Sequence, residues 1–383
     1  MAQSSEDPAV RCADRVFFED ELEHSLSEIF RLATVVSIES ELIPQSHLNY
    51  IRSHLDPRKI MPPIATILTC SNKLSQKKIL RQSNLPILKW LEFKKSVKSI
   101  SSWISDLITT FPFGCVLKWS RGGYDGKGVL KLTENEFTLL KQDNNDSLRS
   151  RIELFIEEGW NYDPVVYAEE LCNFKYEAAV VAVANKAGEI TCYPSVLTQQ
   201  SDGVCSRVYS AKVSELPTQS INSATIELTK KIGAVFNIVG TFAVEFFVNY
   251  HDDIFINEIA PRVHNSGHYT LDAANCSQFE NHWGALLDLP ITTIECSDYF
   301  AMLNILGPKN LNTKILRQPD FNTNNSTPKS FLHWYFKKES RPSRKLGHIN
   351  VKANTKSELI DEFKFSEERI LSWEKTLREI GKQ

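Results

Sequence analysis

The sequence predicts a mixed α/β and α+β protein of two or three domains, and three observations carry that prediction. The first residues alternate strand-like and helix-like patterns. The middle of the chain is strand-rich around its one glycine-dense loop. An apolar β-run, Thr241 to Val248, leads into an unusually polar stretch, Asn257 to His268. A chain of 383 residues is too long for one small core. Its hydrophobic share of 42% and charged share of 24% are those of an ordinary globular protein. With 44 basic and 47 acidic residues, the net charge of -3 gives no global attraction to nucleic acid or an anionic membrane. Eight cysteines are scattered without a C-x-x-C pair or zinc spacing, as expected of reduced core residues. No apolar run reaches the roughly 18 residues needed to span a bilayer, and the polar, acidic start excludes a secretory signal. The expectation is a cytoplasmic enzyme with no nucleic-acid or membrane partner.

Taken in order, Val16 to Phe18 is strand-like, and Leu22, Leu26, Ile29, Phe30 and Ala33 recur at helical spacing. Thr34 to Ile38 then has a buried-strand pattern, completing a β-α-β unit of a parallel sheet. Glu39 and Glu41 follow at the carboxyl end of that strand, where open α/β sheets bind ligands; they are substrate contacts or exposed loop acids. A helix from about Asn72 to Gln82 carries Lys73, Lys77 and Lys78 and stops at Asn84 to Pro86. From about Val97 a further helix precedes the strand Phe113 to Lys118, which opens a small strand-rich module spanning about 113–183. The boundaries expected are 1–70, 71–290 and 291–383.

Ser120 to Val129 holds four of the 15 glycines: Gly122, Gly123, Gly126 and Gly128. Glycines let backbone N–H groups wrap phosphate oxygens, and Arg121 and Lys127 add charge. The loop lacks a G-K-[ST] ending and has β-like neighbours, so it fits a hairpin loop lying over a nucleotide, with Lys118 reaching the same phosphates. Thr133 to about Asp163 is polar and helical in pattern and is read as a connector. Val165 to Leu171 and Tyr176 to Val183 are strands. The edge backbone between them suits adenine, and Glu177, eight residues after Glu169, suits ribose hydroxyls.

After Tyr193 to Ser195 and a polar loop through Gly203, a helix covers about Ser223 to Phe236. Thr241 to Glu258 is a hairpin turning at His251 and Asp252, which places Glu245 opposite Glu258. Opposed carboxylates repel. A divalent cation removes that conflict, and hard oxygen ligands near a phosphate suit Mg²⁺. Phe242, Val244, Phe246 and Val248 form the packed face. Asn257 to His268 then gathers a carboxylate, a guanidinium, two imidazoles, two carboxamides and a hydroxyl in twelve residues. A buried polar group without a partner costs about 1–3 kcal/mol, so this stretch is read as a metal-nucleotide and substrate site.

A helix (about Ser277 to Leu286), a strand (Tyr299 to Ile305) and a polar loop (Asn322 to Thr327) follow. Five cations lie between Lys337 and Lys345 beside aromatics. No long basic face extends the cluster, so it fits one phosphate monoester on a small molecule better than nucleic acid. The tail, Lys356 to Gln383, is expected to be a charged amphipathic helix pair.

Three stretches, Asn257 to Thr270, Gly122 to Gly128 and Arg341 to His348, together resemble 5-(carboxyamino)imidazole ribonucleotide synthetase, and the match runs from about Asp7 to the C-terminus. The resemblance implies an ATP-grasp fold with a doubly wound N-terminal domain and a small C-terminal domain. It implies ATP and Mg²⁺, with bicarbonate and 5-aminoimidazole ribonucleotide as substrates of an ATP-dependent carbon–nitrogen ligase, and a homodimer. By the same resemblance Lys77, Lys118, Gly122, Gly123, Tyr124, Asp125, Gly126, Lys127 and Gly128 hold the ATP phosphates. Glu169, Glu170, Leu171 and Cys172 form the adenine hinge, with Glu177 on the ribose. Gln200 stands near the nucleotide, Asn257 touches it, and Glu245 and Glu258 hold Mg²⁺. Tyr124, Asp125, Arg262, His264, Asn265, Ser266, Lys337, Arg344 and Lys345 surround the ribonucleotide, and Arg262, His264 and Lys337 are the catalytic candidates. The chain departs from the pattern in places. It is expected to lack the family's first strand and glycine-rich turn. Asn72 and Lys73 replace Asp-Arg, Gln200 replaces a common histidine, and Ser343 replaces a glycine. Two rival readings follow: an impaired, truncated relative that only binds nucleotide, and another ATP-grasp carboxylate–amine ligase such as the formate-using transformylase. Against the latter stand His264 to His268 and Arg344 to His348.

Overall fold

The structure is a computed structural model. It describes the chain apart from residues 3–4, 6, 95–98, 124–125, 143–145, 202, 214–218, 310, 312, 315–317, 321–328 and 381–383. The N-terminal layer has its own core, with Leu26, Phe30, Leu48, Ile51, Ile60 and Ile67 buried together. Its parallel pair is Val36–Ser37 with Ile60–Met61, in the register Val36 to Ile60. The helix Gln45–His54 crosses between them and buries Leu48 and Ile51. Val16 to Phe18 does not form the expected strand: Phe18 makes one isolated parallel bridge to Ala2. The β-α-β unit therefore lies one element later in the chain than its pattern suggested.

The helix Lys73–Gln82 leads out of this layer. Asn72 caps it, its side-chain oxygen accepting from the Ser75 N–H at 2.8 Å. A four-stranded antiparallel sheet follows, in the order Trp90–Lys94, Val165–Glu170, Gly114–Trp119, Val129–Thr133. The helices Glu134–Lys141 and Asp146–Trp160 cover it, and Phe137, Leu140, Leu148, Ile152 and Ile156 are buried among Trp103, Leu107 and Leu117. This segment is no connector. Each helix turns a narrow apolar stripe to the sheet and its many charges to solvent, and burying such a side chain contributes about 1.5–3 kcal/mol. The small module accordingly takes in Trp90–Lys94, while Phe174–Ala184 belongs to the larger sheet.

That larger sheet has nine antiparallel strands. Its path runs Ile254–Ala260, Gly240–Asn249, Phe174–Ala184, Val196–Ser201, Val204–Ser210, Tyr299–Leu306, Lys345–Ala353, Ser330–Trp334, with Ile190–Cys192 attached to Phe174–Ala184. The stretch expected to be a polar loop before Gly203 is a hairpin, Val196–Ser201 with Val204–Ser210. Because Val204–Ser210 pairs with Tyr299–Leu306, the C-terminal strands extend the same sheet. The tail is one helix, Lys356–Ile380, packing Leu359, Phe363, Trp373 and Leu377 on those strands. No proline or glycine interrupts it, so nothing breaks it into a pair.

The two sheets meet where the chain leaves Glu170 and re-enters at Phe174. Lys118 and Glu169 lie on strands of the small sheet, and Glu177, Glu245 and Glu258 on strands of the larger one.

Candidate active site

The hairpin Gly240–Asn249 with Ile254–Ala260 organises the site. Alternation buries Phe242, Val244, Phe246 and Val248 and turns Glu245 to the other face. The register pairs Glu245 with Glu258 directly, with a bulge just after Glu245. Burial and the charge of Glu258 push the Glu245 carboxyl up to about 7. Burial also raises Glu258, but Lys73 outweighs it: its Nζ sits 2.7 Å from Glu258 Oε2 and holds that carboxyl below its ordinary range. Asn257 links the pair to the small sheet. Its Nδ2 donates to Glu245 Oε2 at 3.4 Å, and its Oδ1 accepts from Lys118 Nζ at 3.3 Å.

Lys118 also lies 2.5 Å from Glu169 Oε2, and Lys77 contacts the other oxygen of Glu169. Lys77 and Glu169 are only 2% and 1% exposed. Burial drives the Lys77 ammonium down. Burial also raises Glu169, but the two lysines outweigh it and keep the carboxyl low. Lys77 anchors Glu169, and Lys73, one turn earlier on the same helix, is the cation facing Glu258. Glu169 likewise has its carboxylate committed inward. Glu170, Leu171 and Cys172 are half-buried at the crossing, and burial pushes the Cys172 thiol up to about 11. Glu177 is raised to about 7 by burial and by Glu245.

The glycine loop joins the strand Gly114–Trp119 to Val129–Thr133. Gly122, Gly126 and Gly128 have positive φ, and a Cβ on Gly128 would meet the Trp119 ring. Gly123 and Lys127 belong to the same turn, and Tyr124 and Asp125 lie outside the described residues. The tip of the Gln200 hairpin abuts the loop: a Cβ on Gly203 would stand 2.5 Å from Gly126 Cα. Gln200 itself is half-buried on that hairpin.

Beyond Glu258 the strand ends and the acceptor side begins. Arg262 forks onto Glu41, Nε to Oε2 at 2.5 Å and Nη2 to Oε1 at 3.2 Å, tying the N-terminal layer to the site. Glu39 is exposed. His264 Nδ1 accepts from the Ser266 N–H at 3.3 Å and contacts Ser266 Oγ at 2.8 Å. The ring proton therefore sits on Nε2, which lies 3.5 Å from Glu245 Oε1. Burial and the nearby Arg262 and Lys345 charges hold His264 well below its ordinary value, so it is neutral. Ser266 is fully buried and holds His264. Asn265 is half-buried beside it.

An open cleft of about 1340 Å³ borders this loop at His268, lined also by Phe279, His333, Tyr335, Lys337 and His348. Lys345 is close enough to depress both His264 and His268. Arg344 lies 3.3 Å from Glu339, which also pairs with Arg341. Sequence reasoning named Lys73 only as a helix lysine and a departure from Asp-Arg, and it passed over Gln76 and Gln278. Gln76 is buried and hydrogen-bonds both backbone groups of Ile259, beside Glu258. Their one signal is a polar side chain at a core-facing helix position.

Among the described residues no cluster of three or more His, Cys, Asp or Glu is placed to hold a metal, and no helix is long and apolar enough to cross a membrane.

The ATP-grasp domain family model matches residues 78–279, and that of the phosphoribosylaminoimidazole carboxylase C-terminal domain matches residues 301–362. The chain is 29% identical over 372 residues to N5-carboxyaminoimidazole ribonucleotide synthase of Aquifex aeolicus, covering 97% of this chain and 89% of that one. It is 30% identical over 350 residues to the Synechococcus elongatus synthase, covering 90% and 80%. Solved structures of the Aspergillus clavatus synthase, one with ATP and one with ADP and 5-aminoimidazole ribonucleotide, superpose with a TM-score of 0.75 at 28% identity, covering 95% of this chain and 89% of theirs. The chain belongs to the N5-carboxyaminoimidazole ribonucleotide synthase family of ATP-grasp ligases.

Proposed function

We propose that this protein carboxylates 5-aminoimidazole ribonucleotide with bicarbonate and ATP, giving N5-carboxyaminoimidazole ribonucleotide, ADP and phosphate for purine synthesis. One observation carries the reading: the acceptor-side His264 Nε2 lies 3.5 Å from Glu245 Oε1 of the opposed acid pair. The phosphoryl donor and the acceptor would thus share one boundary. Family membership and the Aspergillus clavatus complexes support the same reading.

Adenine would lie against the Glu170 to Cys172 crossing, with Glu177 toward the ribose and Lys118 and the Gly122 to Gly128 loop on the phosphates. Two opposed carboxylates, one of them already in contact with an ammonium, fit a divalent cation, and Glu245, Glu258 and Asn257 would hold Mg²⁺. When bound, Mg²⁺ supplies charge neutralisation for phosphoryl transfer. Lys73 then turns from Glu258 toward the phosphates. Among the described residues, no other ammonium is recorded within ion-pair distance of Glu258.

Bicarbonate is a poor electrophile. Its oxygen attacks the γ-phosphorus, the bond to the β-phosphate oxygen breaks, and ADP leaves with carboxyphosphate formed. Carboxyphosphate splits to carbon dioxide and phosphate, and the exocyclic amine adds to carbon dioxide and loses a proton. Arg262 offers guanidinium N–H groups and neutral His264 an Nε2–H donor to the carboxyphosphate oxygens. The phosphate of the ribonucleotide would enter the cleft by Lys337 and Lys345. The glycine loop, against the Gln200 hairpin, excludes water from the intermediate. The chain would act as a homodimer. Steady-state ADP release tests the function: it should require both bicarbonate and aminoimidazole ribonucleotide, and turnover indifferent to the ribonucleotide would refute it.

A further inference from the structure

Gln278 is the first residue of the helix Gln278–Leu286, directly after its cap Ser277, and is fully buried. Its carboxamide points away from its own helix to the loop that carries the acceptor residues. Oε1 accepts the His264 N–H at 2.9 Å, and Nε2 donates to the His264 carbonyl at 2.8 Å. One side chain thus satisfies both backbone groups of His264, as a neighbouring strand would. The second amide hydrogen meets His268 Nδ1 at 3.0 Å. An amide nitrogen only donates, so Nδ1 of His268 is the acceptor and its ring proton is on Nε2. Gln278 is itself fixed. Its N–H donates to Thr270 Oγ1 at 2.9 Å, and its carbonyl accepts from Thr241 Oγ1 at 2.8 Å, on the strand that carries Glu245. The loop comes so close that a Cβ on Gly267 would stand 2.7 Å from Oε1.

We infer that Gln278 is a positioning residue for the acceptor half of the reaction: it sets the backbone position of His264 and the tautomer of His268 from outside the substrate cleft. The clamp explains how a stretch of mixed polar residues, held otherwise by a single 3-10 turn at Asn265–Gly267 and by no strand ladder, keeps His264 aimed at Glu245. It also registers the loop against the metal-side strand through Thr241. The kinetic consequence rests on the carboxylation reading above; the clamp itself does not.

Two variants test it, read in two independent ways. Gln278→Met keeps the side-chain length and loses every amide hydrogen bond. Gln278→Glu keeps an acceptor for the His264 N–H but sets a carboxylate against the His264 carbonyl until it is protonated. In the ligand-free protein, hydrogen exchange of the His264 amide should speed up about tenfold or more in Gln278→Met, while the strand Gly240–Asn249 keeps its protection. In turnover, kcat/KM for the ribonucleotide should fall about tenfold or more while ATP affinity stays within about twofold. Gln278→Glu should recover part of that loss as pH falls, because a protonated carboxyl donates again; a merely structural role predicts no such recovery. Unchanged His264 exchange would overturn the proposal, as would ATP and ribonucleotide parameters falling together. If the wild type shows no ribonucleotide-dependent turnover, the functional reading fails while the exchange result still decides the clamp.

Discussion

Glu41→Gln removes one charge from the fork that holds Arg262 and leaves the shape nearly unchanged. Arg262 meets both oxygens of Glu41, at 2.5 and 3.2 Å, with side chains about a quarter and a tenth exposed. Two unit charges about 4 Å apart attract by about 4 kcal/mol at the effective dielectric of a partly buried site, and solvent screening reduces this to about 2 kcal/mol. Losing that hold frees the guanidinium to leave the acceptor side. At about 1.4 kcal/mol per factor of ten, kcat/KM for the ribonucleotide should fall about 30-fold. Glu41 lies outside the nucleotide half, so the KM for ATP should stay within about twofold. Initial-rate kinetics at saturating bicarbonate, varying each substrate in turn, measure both. A folded Glu41→Gln protein with wild-type kcat/KM for the ribonucleotide would refute the reasoning, as would equal losses for the two substrates.

Stability should fall with acid. His282 has a folded-state pKa of about 4 and His268 about 3, each lowered first by burial, and His348 is lowered well below its ordinary value for the same reason. Above about 6.5, the ordinary value of an unfolded histidine, folded and unfolded chains are both neutral there. Below it the unfolded chain binds protons that the folded one refuses, so stability is lost as pH falls from 6.5 toward 4. At pH 5 His282 and His268 should each cost about 2 kcal/mol, and a urea midpoint equal at pH 7.5 and pH 5 would contradict this. Lys73→Met leaves the Glu245–Glu258 pair without its internal cation. Mg²⁺ should then raise the melting temperature of the variant by about 2 °C or more beyond its effect on wild type, and equal shifts would argue against a cation site between those carboxylates.

Much of the site was legible in the sequence because short-range rules fix it. Strand alternation and one tight turn suffice to oppose Glu245 and Glu258, and the polar heads from Asn257 to His268 have no reason to follow an apolar strand unless they serve a site. The glycine loop was legible for the same reason, since its neighbours are β-like and its glycines dense. Long-range approach was not legible. Lys73 and Lys77 sit one helical turn apart with the same chemistry, and only the packing of their helix decides which faces Glu258 and which is sealed against Glu169. Glu41 is more than 200 positions from Arg262, and nothing local tells it from the exposed Glu39. Gln278 looks like any residue after a helix cap. The helices Glu134–Lys141 and Asp146–Trp160 were mistaken for a connector because charge dominates their composition, although the few apolar positions fall on one stripe. The N-terminal strand was misplaced because Val16 to Phe18 is too short a run for its β-propensity to outweigh tertiary context.

The central claim is that ATP activates bicarbonate beside His264 and Glu245 before the amine is carboxylated. Turnover with ATP, aminoimidazole ribonucleotide and ¹⁸O-labelled bicarbonate tests it most directly, with the phosphate and the nucleotide product analysed by mass spectrometry. The account predicts one ¹⁸O in the phosphate for each ADP formed, and a carboxylated ribonucleotide that retains label from bicarbonate. Phosphate released without ¹⁸O, alongside the same amount of ADP, would contradict it.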